Sequence, residues 1–265
     1  MRSTFLFKGA PIFYRDEGNG RAIILLHGFL ASHQLWNAQF EDLSKRYRVI
    51  APDLPGHGSS DSLGYLHSME LLAEAINALL RHLGLRRVVM IGHSLGGYVS
   101  LAFAEQYTDK LKGLILINST AAADSETRKA SRDQLVRMLP KKFELVINSL
   151  VDSFFVIYGP YRLPSLKKYK RWATSTEAKG IAANVRGMKA RKEREIILKF
   201  APYPYLIISG AEDPIIDCEQ SKLEAELSPN GSIEVLEDSG HMSVMEKPWL
   251  INRLILSFFR SIGFN

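Results

Sequence analysis

The sequence predicts an α/β fold, with a mostly parallel central sheet, helices on both faces and one helical cap insertion. Short apolar runs recur along the chain, and stretches with helical spacing separate most of them. The alternation breaks over residues 121–190, which keep helical spacing but contain no clear strand. The chain has 265 residues, of which 46% are hydrophobic, so it can bury a sizeable core.

The predicted sheet starts with a hairpin, because the first twenty residues alternate apolar and polar around residues 9–11 (Gly-Ala-Pro). Short apolar strands follow, and those in the middle of the set are apolar at nearly every position, as buried parallel strands are. The six predicted strands cover residues 22–26, 48–51, 87–91, 113–117, 205–209 and 232–236.

Three stretches outside the break in the alternation have helical spacing. Ser68 is a candidate N-cap for the first, whose apolar face ends at Gly84. The second, residues 95–107, directly follows the third buried strand, and the third, residues 249–262, carries one apolar stripe. Helices between successive parallel strands cover both faces of a sheet.

Residues 121–190, called the insertion below, are predicted to form a helical cap, or lid, over the site. The core would then consist of residues 1–120 and 191–265. Residues 121–200 hold 18 Lys and Arg against 8 Asp and Glu, whereas the net charge of the whole chain is +6. This basic segment is either a solvated helical face or a region that attracts anionic substrates or surfaces.

Composition also predicts what the protein does not bind. No apolar stretch has the length of a membrane span and the N-terminus lacks a signal peptide, which predicts a cytoplasmic protein without a membrane partner. The basic residues follow no nucleic-acid-binding motif. The single cysteine, Cys218, is expected to be a small buried hydrophobe. We expect a small-molecule substrate and neither metal nor cofactor; the sequence gives no prediction of oligomeric state.

The strongest local signal is residues 92–96 (Gly-His-Ser-Leu-Gly), which follow a predicted strand and open a predicted helix. A nucleophile elbow requires this placement, because its strained turn lifts the serine hydroxyl clear of the sheet. Ser94 is therefore the candidate nucleophile. The alternative is a glycine-dependent turn with an incidental serine.

A serine needs a base, and a base needs a carboxylate that fixes its tautomer. His241, after the last strand, is the candidate base, since the other six histidines lie in glycine turns, inside the elbow, or in or beside helices. Asp213 follows residues 205–209 at the carboxyl end of a predicted strand, where such folds gather their sites. Three carboxylates remain alternatives for the acid: Asp124, Glu212 and Asp217.

A developing oxyanion needs two hydrogen-bond donors. The backbone N–H groups of Leu95 and Phe29 are the candidates, the second because it lies in the loop after the first buried strand. Two methionines are candidate substrate contacts. Met188 lies on the predicted lid and Met242 is next to the candidate base, although methionine is more often a core residue.

Five segments in this order resemble the α/β-hydrolase superfamily, in its helical-cap branch of small esterases and lactonases. They are residues 27–29 (His-Gly-Phe), 53–60 (Asp-Leu-Pro-Gly-His-Gly-Ser-Ser), 92–97 (Gly-His-Ser-Leu-Gly-Gly), 210–214 (Gly-Ala-Glu-Asp-Pro) and 239–241 (Ser-Gly-His). The resemblance implies Ser94, Asp213 and His241 as the triad and Phe29 and Leu95 as oxyanion donors. It also implies that residues 53–60 form a structural turn.

These observations predict a serine hydrolase, of the carboxylic ester hydrolase kind, that cleaves a small ester, lactone or thioester through an acyl-enzyme. A lyase or C–C bond hydrolase with the same triad is the first alternative, because that chemistry occurs on the same scaffold. A non-catalytic ligand receptor is the second, although a pure binder would not need all the site elements together.

Overall fold

The computed structural model describes residues 2–155 and 162–264. Its eight-stranded sheet has the order β1-β2-β4-β3-β5-β6-β7-β8, in which the last six strands run parallel and β1 and β2 form an antiparallel edge. The strands are β1 (Arg2–Phe7), β2 (Ala10–Glu17), β3 (Ala22–Leu26), β4 (Arg48–Pro52), β5 (Val88–His93), β6 (Leu111–Ile117), β7 (Tyr205–Gly210) and β8 (Gly231–Leu236).

Ten α-helices lie within the described residues. The ones outside the insertion are α1 (Asn37–Leu43), α2 (Met69–His82), α3 (Leu95–Gln106), α7 (Glu195–Lys199), α8 (Cys218–Glu226), α9 (Ser243–Glu246) and α10 (Pro248–Ser261). The insertion contributes α4 (Glu126–Asp152), α5 (Arg162–Ser175) and α6 (Ala178–Ala190). Among these described residues, no helix is both long and apolar enough to cross a membrane.

The N-terminal hairpin turns at Lys8 and Gly9, which have φ angles of 50° and 82°. Positive φ at both central residues matches the right-handed twist of the two strands. All six predicted strands after the hairpin are present, each within two residues of its predicted ends. Every residue of β3, β5 and β7 is buried, because both faces of the sheet are covered.

The predicted helices are also confirmed at their ends. The Ser68 hydroxyl accepts a 3.2 Å hydrogen bond from Leu71 N and so caps α2, and Gly84 after it has a φ of 66°. One detail is wrong: Cys218 is the first residue of α8 and only half-buried, so it is not a core hydrophobe.

The insertion leaves and rejoins the core at one place. Arg194 N, where the chain returns, donates a 2.8 Å hydrogen bond to the carbonyl of Ala121, where it departs. The buried Glu224 carboxylate accepts from Ala121 N at 3.0 Å and from the Thr120 hydroxyl. Within the insertion, α4 packs against α5 and α6. The proposed division into core and cap at residues 120 and 190 stays a prediction.

Candidate active site

Ser94 occupies the sharp turn between β5 and α3, with φ 50° and ψ −113°. Non-glycine residues rarely adopt a positive φ, and holding one there costs about 1–3 kcal/mol. The surroundings leave no room for side chains. A Cβ on Gly92 would lie 2.4 Å from the carbonyl oxygen of Gly96, and one on Gly96 would lie 2.1 Å from that of Leu26. The glycines of the motif therefore allow strand and helix to approach this closely.

The structure brings the three predicted triad residues together. Ser94 Oγ lies 2.9 Å from His241 Nε2, and His241 Nδ1 lies 2.9 Å from Asp213 Oδ2. If Nδ1–H donates to the carboxylate, Nε2 is left as the acceptor for the serine hydroxyl. The Asp213 side chain is fully buried and that of His241 is 4% exposed, so water competes little for these bonds.

The Asp213 carboxylate is stabilised in its charged form. Its Oδ1 accepts from the backbone N–H groups of Ile215 and Ile216 at 2.8 and 3.0 Å, and its Oδ2 accepts from the Asn118 side chain at 2.9 Å. Burial acts to raise the pKa of Asp213, but the charge and hydrogen bond of His241 and the backbone donors outweigh it and hold that pKa below its usual value. Asp213 is therefore an anion at neutral pH.

Sequence reasoning missed Asn118, which follows β6 directly and has a φ of 48°. Its Nδ2 donates to Asp213 Oδ2 and, at 3.0 Å, to the carbonyl of Gly240; its Oδ1 accepts from the Ser243 hydroxyl. One buried amide thus links Asp213 to the loop that carries His241. The position of Asn118 in the sequence could have revealed it, since a polar residue directly after a buried parallel strand lies at the carboxyl edge of the sheet, where such folds bind their ligands.

Two further residues that the sequence did not reveal form hydrogen bonds to the backbone of Ser94 and His241. The Ser119 hydroxyl donates a 2.9 Å hydrogen bond to the carbonyl of Ser94. His93 Nε2 lies 2.8 Å from the carbonyl of His241, so it carries the proton and donates. Burial, followed by the nearby His241, lowers the pKa of His93 to about 3, and this imidazole therefore stays neutral.

The two predicted oxyanion donors lie beside the nucleophile. Leu95 is the first residue of α3, where backbone N–H groups have no partner within the helix. The loop before Phe29 runs against the elbow, because a Cβ on Gly28 would lie 3.4 Å from that of Ser94. In the described part of the chain, neither the Phe29 nor the Leu95 N–H donates to an acceptor. Their role in binding an oxyanion stays a prediction.

The carboxylates that were alternatives for the acid, and one of the histidines set aside as a base, form contacts elsewhere in the structure. His33 Nδ1 lies 2.8 Å from the buried Asp53 Oδ1, whose Oδ2 accepts from Ser59 N at 2.8 Å, so this pair fastens the turn at residues 53–60. Asp124 pairs with two arginines. Asp217 caps α8 through a 3.1 Å bond from Glu219 N, and Glu212 is exposed.

A cavity of about 970 Å³ opens onto Ser94 and His241. Its wall is mostly apolar and comes largely from the insertion. The ring of Phe154 contributes to this wall with its centroid 5.6 Å from that of His241. The Tyr169 hydroxyl donates a 2.6 Å hydrogen bond to the carbonyl of Phe29, which connects α5 to the loop of a candidate oxyanion donor.

The two predicted substrate-contact methionines lie in different places. Met188, on α6, lines the cavity. Met242 is fully buried and is not among the described residues that line it. Its burial therefore indicates a packing role rather than a substrate contact.

Comparison with known proteins agrees with this geometry. A sequence profile of the alpha/beta hydrolase fold matches residues 21–248, so the chain belongs to the alpha/beta hydrolase family. A non-heme haloperoxidase from Rhodococcus erythropolis is 30% identical over 96% of this chain and 97% of its own length. The structure of a thermophilic esterase from Thermogutta terrifontis, with malate bound, superposes with a TM-score of 0.92 and 30% identity, covering 99% of both chains.

A third similarity concerns the fold alone. The enol-lactonase from Burkholderia xenovorans LB400 superposes with a TM-score of 0.89 at 22% identity, covering 97% of this chain and all of that one. Together, the family membership and the esterase relative support a hydrolase.

Proposed function

We propose that this hydrolase cleaves a small carboxylic ester, lactone or thioester through an acyl-enzyme on Ser94. The proposal rests on one observation: the hydroxyl of Ser94, the imidazole of His241 and the carboxylate of Asp213 form one continuous hydrogen-bonded chain beside a cavity. This arrangement activates a hydroxyl for attack on a carbonyl carbon.

In the first half of the reaction, Ser94 Oγ attacks the substrate carbonyl and His241 Nε2 takes the hydroxyl proton. The carbonyl oxygen becomes an oxyanion, which accepts hydrogen bonds from the N–H groups of Phe29 and Leu95. The C–O or C–S bond then breaks, and the leaving group takes the proton from His241. The acyl group remains on Ser94, and the carboxylate of Asp213 stabilises the imidazolium throughout.

The second half repeats these steps with water. His241 takes a proton from water as it attacks the acyl carbon, and the collapse of the second oxyanion returns that proton to Ser94 Oγ. The carboxylic acid product releases its remaining proton to the solvent and leaves as its anion. The esterase relative, at 30% identity, supports ester chemistry for this chain.

Labelling and turnover test the proposal together. The wild type should react covalently with a fluorophosphonate probe and hydrolyse p-nitrophenyl esters within a graded acyl series. Ser94→Ala should lose both, with kcat reduced by about 10³-fold or more. Ser175→Ala is the matched control, since this exposed serine lies on α5 outside the cavity of Ser94, and it should still be labelled.

The outcomes separate the alternatives. A wild type that binds esters without labelling or turnover would be a receptor. Product analysis that finds cleavage of carbon–carbon bonds but not of esters, lactones or thioesters would favour the C–C hydrolase.

A further inference from the structure

The wall of the Ser94 cavity carries an excess of positive charge. Arg128 and Arg132 both line it, one helical turn apart on the same face of α4. Among the described residues that line the cavity, none is Asp or Glu. A substrate that enters this site therefore meets two guanidinium groups and no carboxylate.

None of the other basic side chains described in the insertion lines this cavity. Four lysines of the insertion also pair with acidic neighbours outside the cavity wall: Lys129 with Glu126, Lys170 with Asp152, Lys179 with Glu177 and Lys189 with Asp133. Among the described basic side chains of the insertion, only Arg128 and Arg132 can therefore contact a substrate in this cavity.

Arg128 lies next to the loop of the catalytic acid. Its Nη2 donates a 2.7 Å hydrogen bond to the carbonyl of Ile215, whose own N–H donates to Asp213 Oδ1. In the described part of the chain, no carboxylate lies within ion-pair distance of this guanidinium. Its remaining N–H donors are thus available to an anion close to the site of acyl transfer.

Arg132 is only partly neutralised. It donates to the buried Asp124, but that carboxylate also accepts a 2.6 Å hydrogen bond from the buried Arg191. Burial acts to raise the pKa of Asp124, yet the hydrogen bonds and charges of the two arginines outweigh it and keep that pKa below its usual value. Arg191 in turn lies 4.0 Å from the ring of Tyr98, which lines the cavity. Two positive charges share one negative charge, so positive charge remains at this wall.

We infer that the preferred substrate is an ester, lactone or thioester that also bears a free carboxylate, bound by Arg128 and Arg132. The inference rests on the proposed function and specifies its substrate class. Arginine suits this task because its planar fork of donors matches a carboxylate and stays charged at every working pH. The mostly apolar remainder of the wall would hold the hydrocarbon part of the substrate.

The experiment places the carboxylate on either side of the scissile bond. Mono-p-nitrophenyl adipate carries it on the acyl chain, and its neutral counterpart is p-nitrophenyl hexanoate. For the alcohol side, 4-carboxyphenyl hexanoate is compared with 4-carbamoylphenyl hexanoate. The measured quantity in each arm is the ratio of kcat/KM for the anionic ester to that for the neutral ester.

We expect the wild type to favour the anionic ester in one arm. Arg128→Gln and Arg132→Gln should each lower that ratio by about tenfold, equivalent to ~1.4 kcal/mol. Arg137→Gln is the matched control, because it removes the same charge from an exposed position of α4 outside the cavity wall, and the ratio should stay within about twofold of wild type. Arg128→Gln carries the test if Arg132→Gln fails to fold, since Arg128 holds no buried carboxylate.

Two kinds of failure are distinguishable. If no ester is hydrolysed, neutral ones included, the proposed function itself is wrong. If neutral esters are hydrolysed through Ser94 but the ratio favours the anionic ester in neither arm, or Arg137→Gln lowers it as much as Arg128→Gln does, only the inference of a carboxylate-bearing substrate is overturned.

Discussion

Replacement of Asn118 tests whether catalysis depends on a residue that does not touch the substrate. We expect Asn118 to be a positioning residue, because its amide donates to Asp213 and to the carbonyl of Gly240 and accepts from Ser243. Asn118→Ala removes all three hydrogen bonds. Asn118→Gly removes them too, but glycine tolerates the φ of 48° that alanine adopts only with strain.

The magnitudes follow from these contacts. Leaving buried polar partners without a hydrogen bond costs about 1–3 kcal/mol, and alanine at this φ adds roughly 1–2 kcal/mol. Asn118→Ala should therefore unfold at a Tm about 4–9 °C below that of the wild type. Asn118→Gly avoids the backbone strain at this φ, so its Tm should fall by less than that of Asn118→Ala.

Both variants should also lose activity, by about tenfold in kcat/KM, because Asp213 loses a donor to its charged form. The same loss raises the pKa of Asp213, so protonation of this carboxylate begins at a higher pH. Relative to the wild type, both variants should consequently lose more activity at pH 5 than at pH 8. The assay is kcat/KM for a p-nitrophenyl ester across that range, beside thermal unfolding. Lowered Tm with a wild-type pH profile and kcat/KM would refute the positioning role.

Two further predictions concern the surroundings of the site, and a third concerns the pH dependence of stability. Gly28→Ala would place a Cβ 2.5 Å from His93 Nδ1 and displace the loop of Phe29; steady-state kinetics should show kcat reduced about 10²-fold or more, and an unchanged kcat would count against Phe29 as an oxyanion donor. Tyr169→Phe removes the hydrogen bond to the Phe29 carbonyl, which contributes about 1 kcal/mol, so kcat should fall several-fold while KM stays nearly constant. Equal changes in kcat and KM would contradict this. Burial lowers the pKa of His67 from 6.5 to about 4, so the stability that this neutral histidine supports is complete above pH 6.5 and is lost as pH falls toward 4. Thermal unfolding across that range should show a shallower decline in His67→Asn, and an identical slope would refute the assignment.

The sequence predicted the sheet well because its central strands are buried on both faces. Runs such as β3 and β5 are apolar at almost every position, so their limits are visible without knowledge of their neighbours. The elbow was equally visible, since the Gly-x-Ser-x-Gly pattern is local and stands between a strand and a helix.

The short helices were not predicted, because little in their sequences marks where they begin. The seven residues of α1 follow a 3₁₀ turn, and Trp36 before them offers no side-chain cap. Such helices are stabilised by tertiary packing rather than by local propensity.

The supporting residues of the site were invisible for a different reason. Asn118 matters because two loops distant in sequence meet at its amide, and Arg128 because one face of α4 turns toward the cavity. Neither fact follows from local spacing. The count of charged residues showed that the insertion is basic, but only the packing determines which of its lysines and arginines have no carboxylate beside them.

The junction between the insertion and the core has a consequence for protein engineering. The bond between Arg194 and Ala121 and the contacts of Glu224 belong to the base of the insertion, not to its interior. A foreign helical segment grafted between Ala121 and Arg194 would be attached to the core by the same hydrogen bonds. The turn that carries Ser94 lies outside the exchanged segment. Such a graft would replace most of the cavity wall, and it would also have to supply the hydrogen bond that Tyr169 donates to the carbonyl of Phe29.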